Sequence, residues 1–558
     1  MKLKFAFFYI ALIFSIENLY SQSNWSWSKS AETYGSGSRN TCASVATDAN
    51  GNIIVIGDFH NSSIKFGSIT LVNANPSGIS NDFFITKYDS SGIVLWAKRA
   101  GGTNYDEGQG VCTDSNGNIF ATGFFYSGTI IFGSDTLTNS APSSSEIFIV
   151  KYDTNGNVLW SKSIPGVFNG NDWGYSVSAD PSGNVFVTGE FNSDTLYFGS
   201  SVIVTKTSST ASFVAKYDPN GNILWAKSNI GTANSNDGGF SVSSDRFGNA
   251  FVTGHFASST ATFGTTTLTN SGSFDFFIAK YDPSGNVLWA KSATGIQDET
   301  GFSVSTDTAG NAYVTGDYQS PTMNFGNIVL TNVNNYGNVF VVKYEASGGV
   351  VWAVSSQGNN YAVGYSISVN NAGDIFVTGG FASDTISFGN QMLIPPTNSL
   401  SPIFVVTYDP NGNILCATYL VTRGWGAPAV AADLFGNAAV VGSFGANSFI
   451  VGYDTLTRTG IEDLFISKYR CENNVGLHEF GNGETISIYP NPSNGIFTLN
   501  LQSAKGEIYI YNLLGEVIYK SKMNSSVSRI DLSEHANGIY FVRVISGSEI
   551  YSGKLLKQ

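Results

Sequence analysis

Residues 276–292 read FFIAKYDPSGNVLWAKS and predict a β-hairpin. An apolar run ends in Lys280-Tyr281-Asp282, the chain turns through Pro283-Ser284-Gly285-Asn286, and a second apolar run follows. Branched and aromatic residues favour strands, and the Pro-Ser-Gly-Asn cluster favours a tight turn. The chain contains seven such stretches. Their first arms end at Tyr88, Tyr152, Tyr217, Tyr281, Tyr344, Tyr408 and Tyr469.

A second motif precedes each hairpin and sets the repeat length. It is a glycine turn followed by an apolar strand, and its copies are spaced by 62 to 66 residues. The turns begin at Gly51, Gly117, Gly183, Gly248, Gly310, Gly373 and Gly436. A regular period over seven copies indicates a repeat architecture.

One copy contains four predicted strands, Gly301–Asp307, Asn311–Asp317, Val339–Tyr344 and Val350–Val354. Four strands per unit, repeated seven times, predict an all-β fold: a seven-bladed β-propeller over residues 22–472. A solenoid is the competing architecture. It would need capping units at its ends, and the sequence shows none.

The two ends of the repeat region are complementary. The last copy stops at Cys471 without a fourth strand. Asn24–Ser30 resembles a fourth strand that is not preceded by the other three strands of a repeat. Trp27 and Lys29 are spaced as Trp289 and Lys291 are. We therefore expect the N-terminal strand to pair into the seventh blade, which closes the ring and removes a sheet edge.

Large side chains recur at two places in the repeat. Trp96, Trp160, Trp225, Trp289 and Trp352 mark the fourth strand, where a large ring suits the wide rim between blades. Cys416 replaces this tryptophan in the sixth blade, and looser packing is expected there. Phe-Gly pairs between the second and third strands predict an extra small hairpin whose aromatic ring plugs the end of the blade.

Bulk properties exclude several classes of function. The 558 residues carry a net charge of −13, and only 12% of them are charged. An acidic surface repels phosphate backbones, so nucleic acid is excluded as a partner, whereas cations and neutral glycans are compatible. The four cysteines lack CxxC spacing, which argues against zinc. They permit disulfides without indicating the pairing.

The N-terminus predicts an export signal over residues 1–21. Lys2 and Lys4 precede an apolar run from Phe5 to Ile16, and Ser21 provides a small residue before a plausible cleavage point. No later apolar stretch approaches the roughly 20 residues of a membrane-spanning helix. The mature chain is thus expected to contain no transmembrane helix.

The repeats resemble a known family. Residues 307–316 (DTAGNAYVTG) and 277–289 (FIAKYDPSGNVLW) are similar to the bacterial SBBP-type β-propeller repeat, and the resemblance covers roughly residues 24–472. It implies a propeller, but the family does not fix a biochemical activity.

The composition changes after a linker at 473–483, and residues 484–558 predict a small β-sandwich. This module resembles the type A C-terminal sorting domain of the type IX secretion system of Bacteroidota. The resemblance rests on Tyr489, Pro490, Asn491, Pro492, Gly495, Gly515, Gly538, Tyr540 and Lys554. It implies passage through the periplasm, recognition by the type IX machinery, removal of the module, and release or surface attachment.

No catalytic constellation is present. Only four histidines occur, without a Ser-His-Asp or HExxH arrangement, so no catalytic residue and no metal ligand are predicted. Asp48-Ala-Asn-Gly-Asn52 resembles the start of a calcium loop but lacks its later glutamate, and turn hydrogen bonding explains it better. No cofactor is predicted, with Ca²⁺ as the alternative.

One set of side chains is a candidate ligand site. Asp106, Asp172, Asp237 and Glu299 precede equivalent glycines and would circle one mouth of a closed ring. Loop capping, a cation or polar-ligand site, and acid–base catalysis are the alternatives. Trp173 and Trp425 lie in the same region and could stack on a sugar or cover the channel end.

Three functions follow from this interpretation. The favoured one is a secreted or surface-attached module that binds a glycan or a protein. The alternatives are an extracellular glycan hydrolase or lyase that uses carboxylates at the mouth, and a structural surface component.

Overall fold

The computed structural model describes residues 24–558, apart from short gaps. The gaps are 35–39, 76–79, 142, 168–169, 205–209, 233–234, 335, 397–398, 400–401, 425, 472–486, 502–505, 513–515 and 547–548. The predicted export signal and linker lie outside the described residues. The chain divides into two compact units, one up to Glu472 and one from Asn473 onward. The described residues are all-β, without an α-helix.

The repeats of the first unit form five four-stranded antiparallel sheets in the described residues, and two six-stranded ones in which a small hairpin extends a four-stranded core. We number the seven four-stranded parts as sheets 1 to 7. Sheet 1 comprises Asn40–Thr47, Ile53–Phe59, Asp82–Tyr88 and Val94–Ala100; sheet 2, Asp106–Thr113, Ile119–Phe125, Glu146–Tyr152 and Val158–Ile164; sheet 3, Asp172–Ala179, Val185–Phe191, Ala211–Tyr217 and Ile223–Ser228; sheet 4, Asp237–Ser244, Ala250–Phe256, Asp275–Tyr281 and Val287–Ser292; sheet 5, Glu299–Thr306, Ala312–Tyr318, Asn338–Tyr344 and Val350–Gly358; sheet 6, Ala362–Val369, Ile375–Phe381, Pro402–Tyr408 and Ile414–Val421; sheet 7, Ala429–Ala432, Asn437–Phe444, Asp463–Arg470 and Trp25–Tyr34.

The fourth strand of sheet 7 comes from the N-terminus, as the sequence predicts. Trp25 pairs with Tyr469 and Trp27 pairs with Lys468 in an antiparallel register. The rings of Trp25 and Tyr469 lie 5.0 Å apart between centroids. Head and tail of the first unit therefore share one sheet.

Hydrogen bonds join the first strands of successive sheets. The Ser241 hydroxyl accepts a bond from the Val304 amide at 3.1 Å. The same bond links Ser44 to Val111, Ser176 to Val242, Ser303 to Ile367 and Ser366 to Val430. The Thr47 hydroxyl donates to the Ala432 carbonyl at 2.7 Å, which connects sheet 1 to sheet 7.

A small hairpin lies between the second and third strands of each repeat. These hairpins are Ser63–Phe66 with Ile69–Val72, Thr129–Phe132 with Asp135–Thr138, Thr195–Phe198 with Ser201–Val204, Thr260–Phe263 with Thr266–Thr269, Thr322–Phe325 with Ile328–Thr331, Ile386–Phe388 with Gln391–Leu393, and Ser448–Val451 with Asp454–Thr457; Gly166–Val167 pairs with the third. Phe66 is fully buried, and its ring lies 5.0 Å from that of Phe84. The predicted plugging role of this aromatic residue is confirmed.

The repeated Lys-Tyr-Asp and Leu-Trp-Ala-Lys motifs form a contact that we term the inter-sheet latch. In sheet 1, buried Lys87 pairs with the Asp48 carboxylate at 2.9 Å and donates to the Thr154 hydroxyl at 3.0 Å. The Trp96 indole donates to the Thr154 carbonyl at 3.1 Å. Thr154 lies in the last turn of sheet 2, so a lysine and a tryptophan of one sheet bind the next.

The latch recurs around the first unit. Its copies are Lys151 and Trp160 with Pro219, Trp225 with Pro283, Lys280 and Trp289 with Ala346, Lys343 and Trp352 with Pro410, and Lys468 and Trp27 with Ser90. Each indole N–H donates a hydrogen bond to a backbone carbonyl of the following sheet, as a half-buried tryptophan requires.

The junction between sheets 6 and 7 differs. Thr407 and Cys416 occupy the lysine and tryptophan positions, and Cys471 occupies the turn position that accepts the latch elsewhere. Cys416 and Cys471 form a disulfide with a Cα–Cα distance of 5.8 Å. A covalent bond thus replaces the latch at Cys416, where the sequence predicts looser packing. Cys42 and Cys112 are free thiols.

The second unit contains two antiparallel sheets. One comprises Ser487–Tyr489, Ile496–Asn500 and Val527–Asp531; the other comprises Val517–Met523, Gly506–Tyr511, Gly538–Ser546 and Glu549–Lys557. Phe497 and Leu499 of one sheet share a buried cluster with Ile508, Ile510 and Val542 of the other. The unit is therefore two sheets packed around one apolar core.

Candidate functional site

The first strands of sheets 1 to 6 share a β-bulge at an equivalent position. In sheet 3, Gly174 pairs with Gly189 and Ser176 pairs with Thr188, so Tyr175 is an extra residue. The equivalent bulge residues are Ala43, Gln109, Phe240, Phe302 and Tyr365. A bulge redirects one side chain out of the regular alternation and is common beside functional sites.

A glycine of the second strand makes each bulge feasible. A Cβ atom on Gly189 would lie 1.9 Å from the carbonyl oxygen of Trp173, which no other residue type tolerates. Gly57, Gly123, Gly254, Gly316 and Gly379 meet the equivalent carbonyl at 1.8 to 1.9 Å. The glycine that ends the second-strand motif is thus explained by close backbone approach.

Four of the bulge residues are aromatic, and they form a continuous row with Trp173. Ring centroids are 6.5 Å apart for Trp173–Tyr175, 5.6 Å for Tyr175–Phe240, 5.7 Å for Phe240–Phe302 and 5.8 Å for Phe302–Tyr365. All five side chains are half-buried. We term Trp173, Tyr175, Phe240, Phe302 and Tyr365 the aromatic arc; it runs across sheets 3 to 6.

Two carboxylates lie beside the aromatic arc. The Tyr175 hydroxyl donates to Glu190 Oε1 at 2.9 Å, and burial raises the pKa of Glu190. The Tyr361 hydroxyl donates to Asp317 Oδ2 at 3.3 Å. Burial raises the pKa of Asp317 to about 7; the hydrogen bond from Tyr361 opposes this shift, and the charge of Asp298 adds a smaller contribution to it. Hydroxyl groups that donate hydrogen bonds and carboxylates that accept them therefore flank the aromatic arc.

His255 extends the aromatic surface. Its ring lies 5.0 Å from that of Phe240 and 4.4 Å from that of Phe274, and Nδ1 lies 3.3 Å from the Thr300 hydroxyl. Burial lowers the pKa of His255 to about 4, so the imidazole is neutral at pH 7. A neutral ring in this place adds apolar area to the arc.

Three of the carboxylates predicted from the sequence are buried and hydrogen-bonded to their loops. Asp172 accepts a bond from the Ser193 hydroxyl at 2.6 Å and from the Asn192 amide at 3.1 Å. Asp106 and Asp237 bind Ser127 and Ser258 in the same way. These contacts support loop capping among the three alternatives.

Burial also changes the acidity of two of these groups. Desolvation raises the pKa of Asp106 to about 7 and that of Asp172 to about 6, although hydrogen bonds from Ser127 and Ser193 oppose the shift. Glu299 is buried in the equivalent place of sheet 5. Trp173 joins the aromatic arc, whereas Trp425 lies outside the described residues.

Sequence reasoning missed Tyr175, Phe240, Phe302 and Tyr365. The signal was present in the Gly-x-Ser stretch of the first strand, where the middle residue varies while its neighbours repeat. In a regular strand that variation has no evident meaning. The bulge explains the variation, because the side chain of the extra residue departs from the regular alternation of the strand.

The Asp-x-x-Gly-Asn turns show turn chemistry. Asp48 Oδ1 accepts bonds from the Asn50 and Asn52 amides at 2.9 and 3.1 Å, and Oδ2 accepts one from the Asn52 side chain at 2.8 Å. Gly51 has a φ of +73°, as such a turn requires. Within the described ranges, no three His, Cys, Asp or Glu side chains converge in a way that could hold a metal ion.

The motif residues of the second unit hold its two ends together. The Asn491 side chain donates to the Lys554 carbonyl at 2.6 Å and accepts a bond from the Leu556 amide at 2.8 Å. The Gly495 carbonyl accepts a bond from Leu532 at 2.7 Å. The Tyr540 hydroxyl donates to the Ala536 carbonyl. Tyr489 ends the strand before this loop, and Pro490 and Pro492 flank Asn491 within it. Gly538 begins a strand, and Gly515 lies outside the described residues.

Helices long and apolar enough to cross a bilayer do not occur in the part of the chain that the structure describes.

Two family models match the chain. Residues 487–558 match the secretion system C-terminal sorting domain, and residues 95–123 match the β-propeller repeat of the SBBP type. The first match spans almost the whole second unit. The second spans the junction of sheets 1 and 2, including the latch tryptophan Trp96.

Similar proteins share only parts of their length with this chain. An uncharacterized WD repeat-containing protein, L264, of Acanthamoeba polyphaga mimivirus is 26% identical over 415 residues, which cover 62% of this chain and 30% of that protein. Ulvan lyase NLR42 of Nonlabens ulvanivorans is 33% identical over 93 residues, 16% of this chain and 17% of the lyase. The chain thus spans less than a third of either curated relative.

Among solved structures, Sqt1 from Chaetomium thermophilum aligns over 80% of this chain and 100% of its own, with 10% identity and a TM-score of 0.31. A TM-score of this size does not establish a shared fold. The family assignment rests on the two model matches: the chain carries SBBP-type β-propeller repeat sequence and ends in a C-terminal sorting domain of the type IX secretion system.

Proposed function

We propose that this chain is an extracellular binding module of a bacterium of the Bacteroidota. The sorting domain supports export to the cell surface or the medium, and the type IX machinery would be its partner in that step. Passage through the periplasm and attachment to the outer surface belong to the proposal. Removing residues 484–558 is expected to retain the protein in the periplasm; normal appearance in the medium would contradict this.

The proposed scaffold is a closed seven-bladed propeller. Its support is the pairing of Trp25–Tyr34 with Asp463–Arg470, together with the hydrogen bond from Thr47 to Ala432 that connects sheet 1 to sheet 7. The latch from Trp27 to Ser90 adds a second contact across the same junction. In such a ring the first strands surround the axis, and the aromatic arc would face the central channel.

The aromatic arc is the observation that carries the proposed function, which is the binding of a neutral glycan. A pyranose ring presents an apolar C–H face that packs against an aromatic ring, and its hydroxyls need hydrogen-bonding partners at the edge. Trp173, Tyr175 and Phe240 offer such faces, and Glu190 and Asp317 offer acceptors. The net charge of −13 disfavours sulfated or uronic-acid chains.

Binding of the full-length chain to an array of neutral and anionic oligosaccharides tests this proposal. The variants Phe240→Ala and Phe302→Ala should each weaken binding of the best neutral glycan about 2- to 12-fold, from about 0.5–1.5 kcal/mol per ring contact. Tyr453→Ala, at a tyrosine that is 90% exposed on the hairpin of sheet 7, is the control and should bind as wild type. Lack of binding to every glycan would instead favour a protein ligand or a structural surface role.

A second candidate function is glycan cleavage. Asp317 has its pKa raised to about 7 and contacts the Tyr361 hydroxyl, and a carboxyl group that titrates near neutral pH is suited to proton transfer. The ulvan lyase among the similar proteins gives ulvan as a substrate to try. Release of shortened oligosaccharides by wild type, and not by Asp317→Asn, would establish a hydrolase or lyase instead of a binding module.

A further inference from the structure

The junction between sheets 4 and 5 buries two carboxylates side by side. The Glu299 amide donates to the Phe274 carbonyl at 2.8 Å, and Phe274 and Asp298 form a parallel β-bridge. Asp275 and Glu299, the next residue of each segment, are therefore neighbours. Both side chains are fully buried.

Three of the four carboxylate oxygens of Asp275 and Glu299 accept no hydrogen bond from the described residues. Asp275 Oδ2 accepts bonds from the Ser271 amide at 3.0 Å and hydroxyl at 3.2 Å. Asp275 Oδ1 and both oxygens of Glu299 have no partner among the described residues. Ser320 lies close enough to lower the pKa of Glu299, but it does not reach hydrogen-bonding geometry; its oxygen accepts bonds from the Ile296 and Gln297 amides instead.

Two other junctions satisfy such carboxylates with a cation or an amide, whereas at the junction of sheets 2 and 3 Glu146 lies near Asp172 and its Oε2 also has no partner among the described residues. At the junction of sheets 1 and 2, Arg99 pairs with Asp82 at 2.9 Å. At the junction of sheets 3 and 4, Asp237 accepts a bond from Asn229 at 2.7 Å, and Ala211 stands where Asp275 stands in sheet 4. In the described part of the chain, no lysine or arginine forms an ion pair with Asp275 or Glu299.

We propose that Asp275 and Glu299 bind one Ca²⁺ ion between sheets 4 and 5. Ca²⁺ takes six to eight oxygen ligands and accepts backbone carbonyls and water beside carboxylates, so two acidic side chains suffice. The unpartnered oxygens are the donors that this ion needs, and a buried charge without compensation is otherwise costly.

Glu299 is longer by one methylene than the aspartates at this position in sheets 2 to 4. That length explains the difference in hydrogen bonding, because Asp106, Asp172 and Asp237 each reach the serine of the following loop while Glu299 does not. The site is independent of ligand binding at the aromatic arc. Extracellular modules typically bind Ca²⁺ with a Kd of about 10⁻⁴ to 10⁻³ M, which suits an exported protein.

Calorimetric titration of CaCl₂ into chelator-treated full-length protein, with melting curves in parallel, tests the site. Wild type should bind Ca²⁺ and melt at a higher temperature with it, while MgCl₂ should have a smaller effect because Mg²⁺ demands stricter geometry. Glu299→Gln and Asp275→Asn should each lower the Ca²⁺ affinity at least tenfold and lose the shift in Tm. Glu146→Gln, at the equivalent of Asp275 in sheet 2, is the matched control and should keep both.

Without Ca²⁺, Glu299→Gln should melt at or above the wild-type temperature, because it removes an uncompensated charge. The proposal is overturned if about 10 mM CaCl₂ leaves the wild-type Tm unchanged, or if the two variants retain wild-type affinity. It is also overturned if both variants fail to fold in calcium-free buffer, because the charge would then be needed for folding itself.

Discussion

The inter-sheet latch and the aromatic arc occupy the same repeats but follow opposite rules. The latch keeps lysine and tryptophan in most copies, whereas the bulge position holds Ala43, Gln109, Tyr175, Phe240, Phe302 and Tyr365 in turn. Most latch lysines are buried, and each latch tryptophan donates to the following sheet, so packing dictates their identity. A bulge residue is half-buried, and packing leaves its identity free to serve a ligand.

The junction between sheets 6 and 7 shows how firmly the first rule holds. The latch there has no hairpin turn to bind, because the fourth strand of sheet 7, Trp25–Tyr34, comes from the N-terminus and no turn joins it to Asp463–Arg470. Cys471 stands at the missing acceptor and Cys416 at the missing tryptophan, and the disulfide joins them. Contacts that hold the sheets together are therefore replaced by another device where they cannot form, while contacts at the arc are not.

The largest effect is expected from removing the carboxylate that pairs with the buried lysine of sheet 3; Lys216 stands where the latch lysine Lys87 stands in sheet 1. Asp180→Ala strands Lys216, whose ammonium lies 3.2 Å from the Asp180 carboxylate. An uncompensated buried charge costs about 3–5 kcal/mol, so the midpoint of urea unfolding should fall sharply. Asp153→Ala removes a similar turn aspartate that forms no ion pair in the described residues, and it should cost far less. Equal losses would contradict the role of the latch.

A smaller effect is expected from the disulfide. Cys416→Ser with Cys471→Ser opens a loop between residues 55 positions apart in sequence, and removal should cost about 2–4 kcal/mol of stability. Melting of wild type with and without a reductant gives an independent estimate. If the double variant and reduced wild type both melt as the oxidised protein does, the bond does not replace a latch.

Stability should also depend on pH through the loop-capping carboxylates. The folded-state pKa values of Asp106 and Asp172, about 7 and about 6, exceed the ordinary value of 3.8, so the folded chain binds more protons between pH 4 and 7. Their contribution is present at low pH and is lost as pH rises through the folded-state values. Asp82, Arg99, Glu146 and the serines Ser127 and Ser193 face these groups.

Urea unfolding of wild type at pH 5, 6 and 8 measures this slope. Asp106→Asn and Asp172→Asn should each flatten it, because the amide does not titrate. A slope of the opposite sign in wild type would show that the two carboxylates are stabilised in their charged form, and the loop-capping account of their pKa values would be wrong.

Much of the fold could be predicted from the sequence because the latch residues recur in most of the repeats. Lys280, Tyr281 and Trp289 mark a hairpin within a short stretch of sequence. The number of such stretches predicts the number of sheets. The N-terminal strand was identifiable for the same reason, since Trp27 is a latch residue without its own hairpin. The second unit was recognisable because Asn491 and Gly495 belong to a motif that closes the domain on itself.

The candidate site was only partly predictable. Trp173 was identified, but its partners Tyr175 and Phe240 were not, because a bulge is a property of strand pairing and leaves no residue pattern of its own. The carboxylates at Asp106 and Asp172 were found, but their burial depends on loops whose serines, Ser127 and Ser193, lie about 21 residues away in the chain. Contacts of that range are not visible in a local pattern.

The most direct test measures two quantities, the Tm and the glycan affinity, for one latch variant and one arc variant. Tm and the affinity for the best-bound neutral glycan should be measured for Lys280→Ala and for Phe302→Ala. Lys280→Ala should lower the Tm and leave the affinity of the folded protein unchanged, whereas Phe302→Ala should lower the affinity about 2- to 12-fold with little change in Tm. If both variants change the two quantities together, the separation between the latch that holds the sheets and the arc that binds a ligand is wrong.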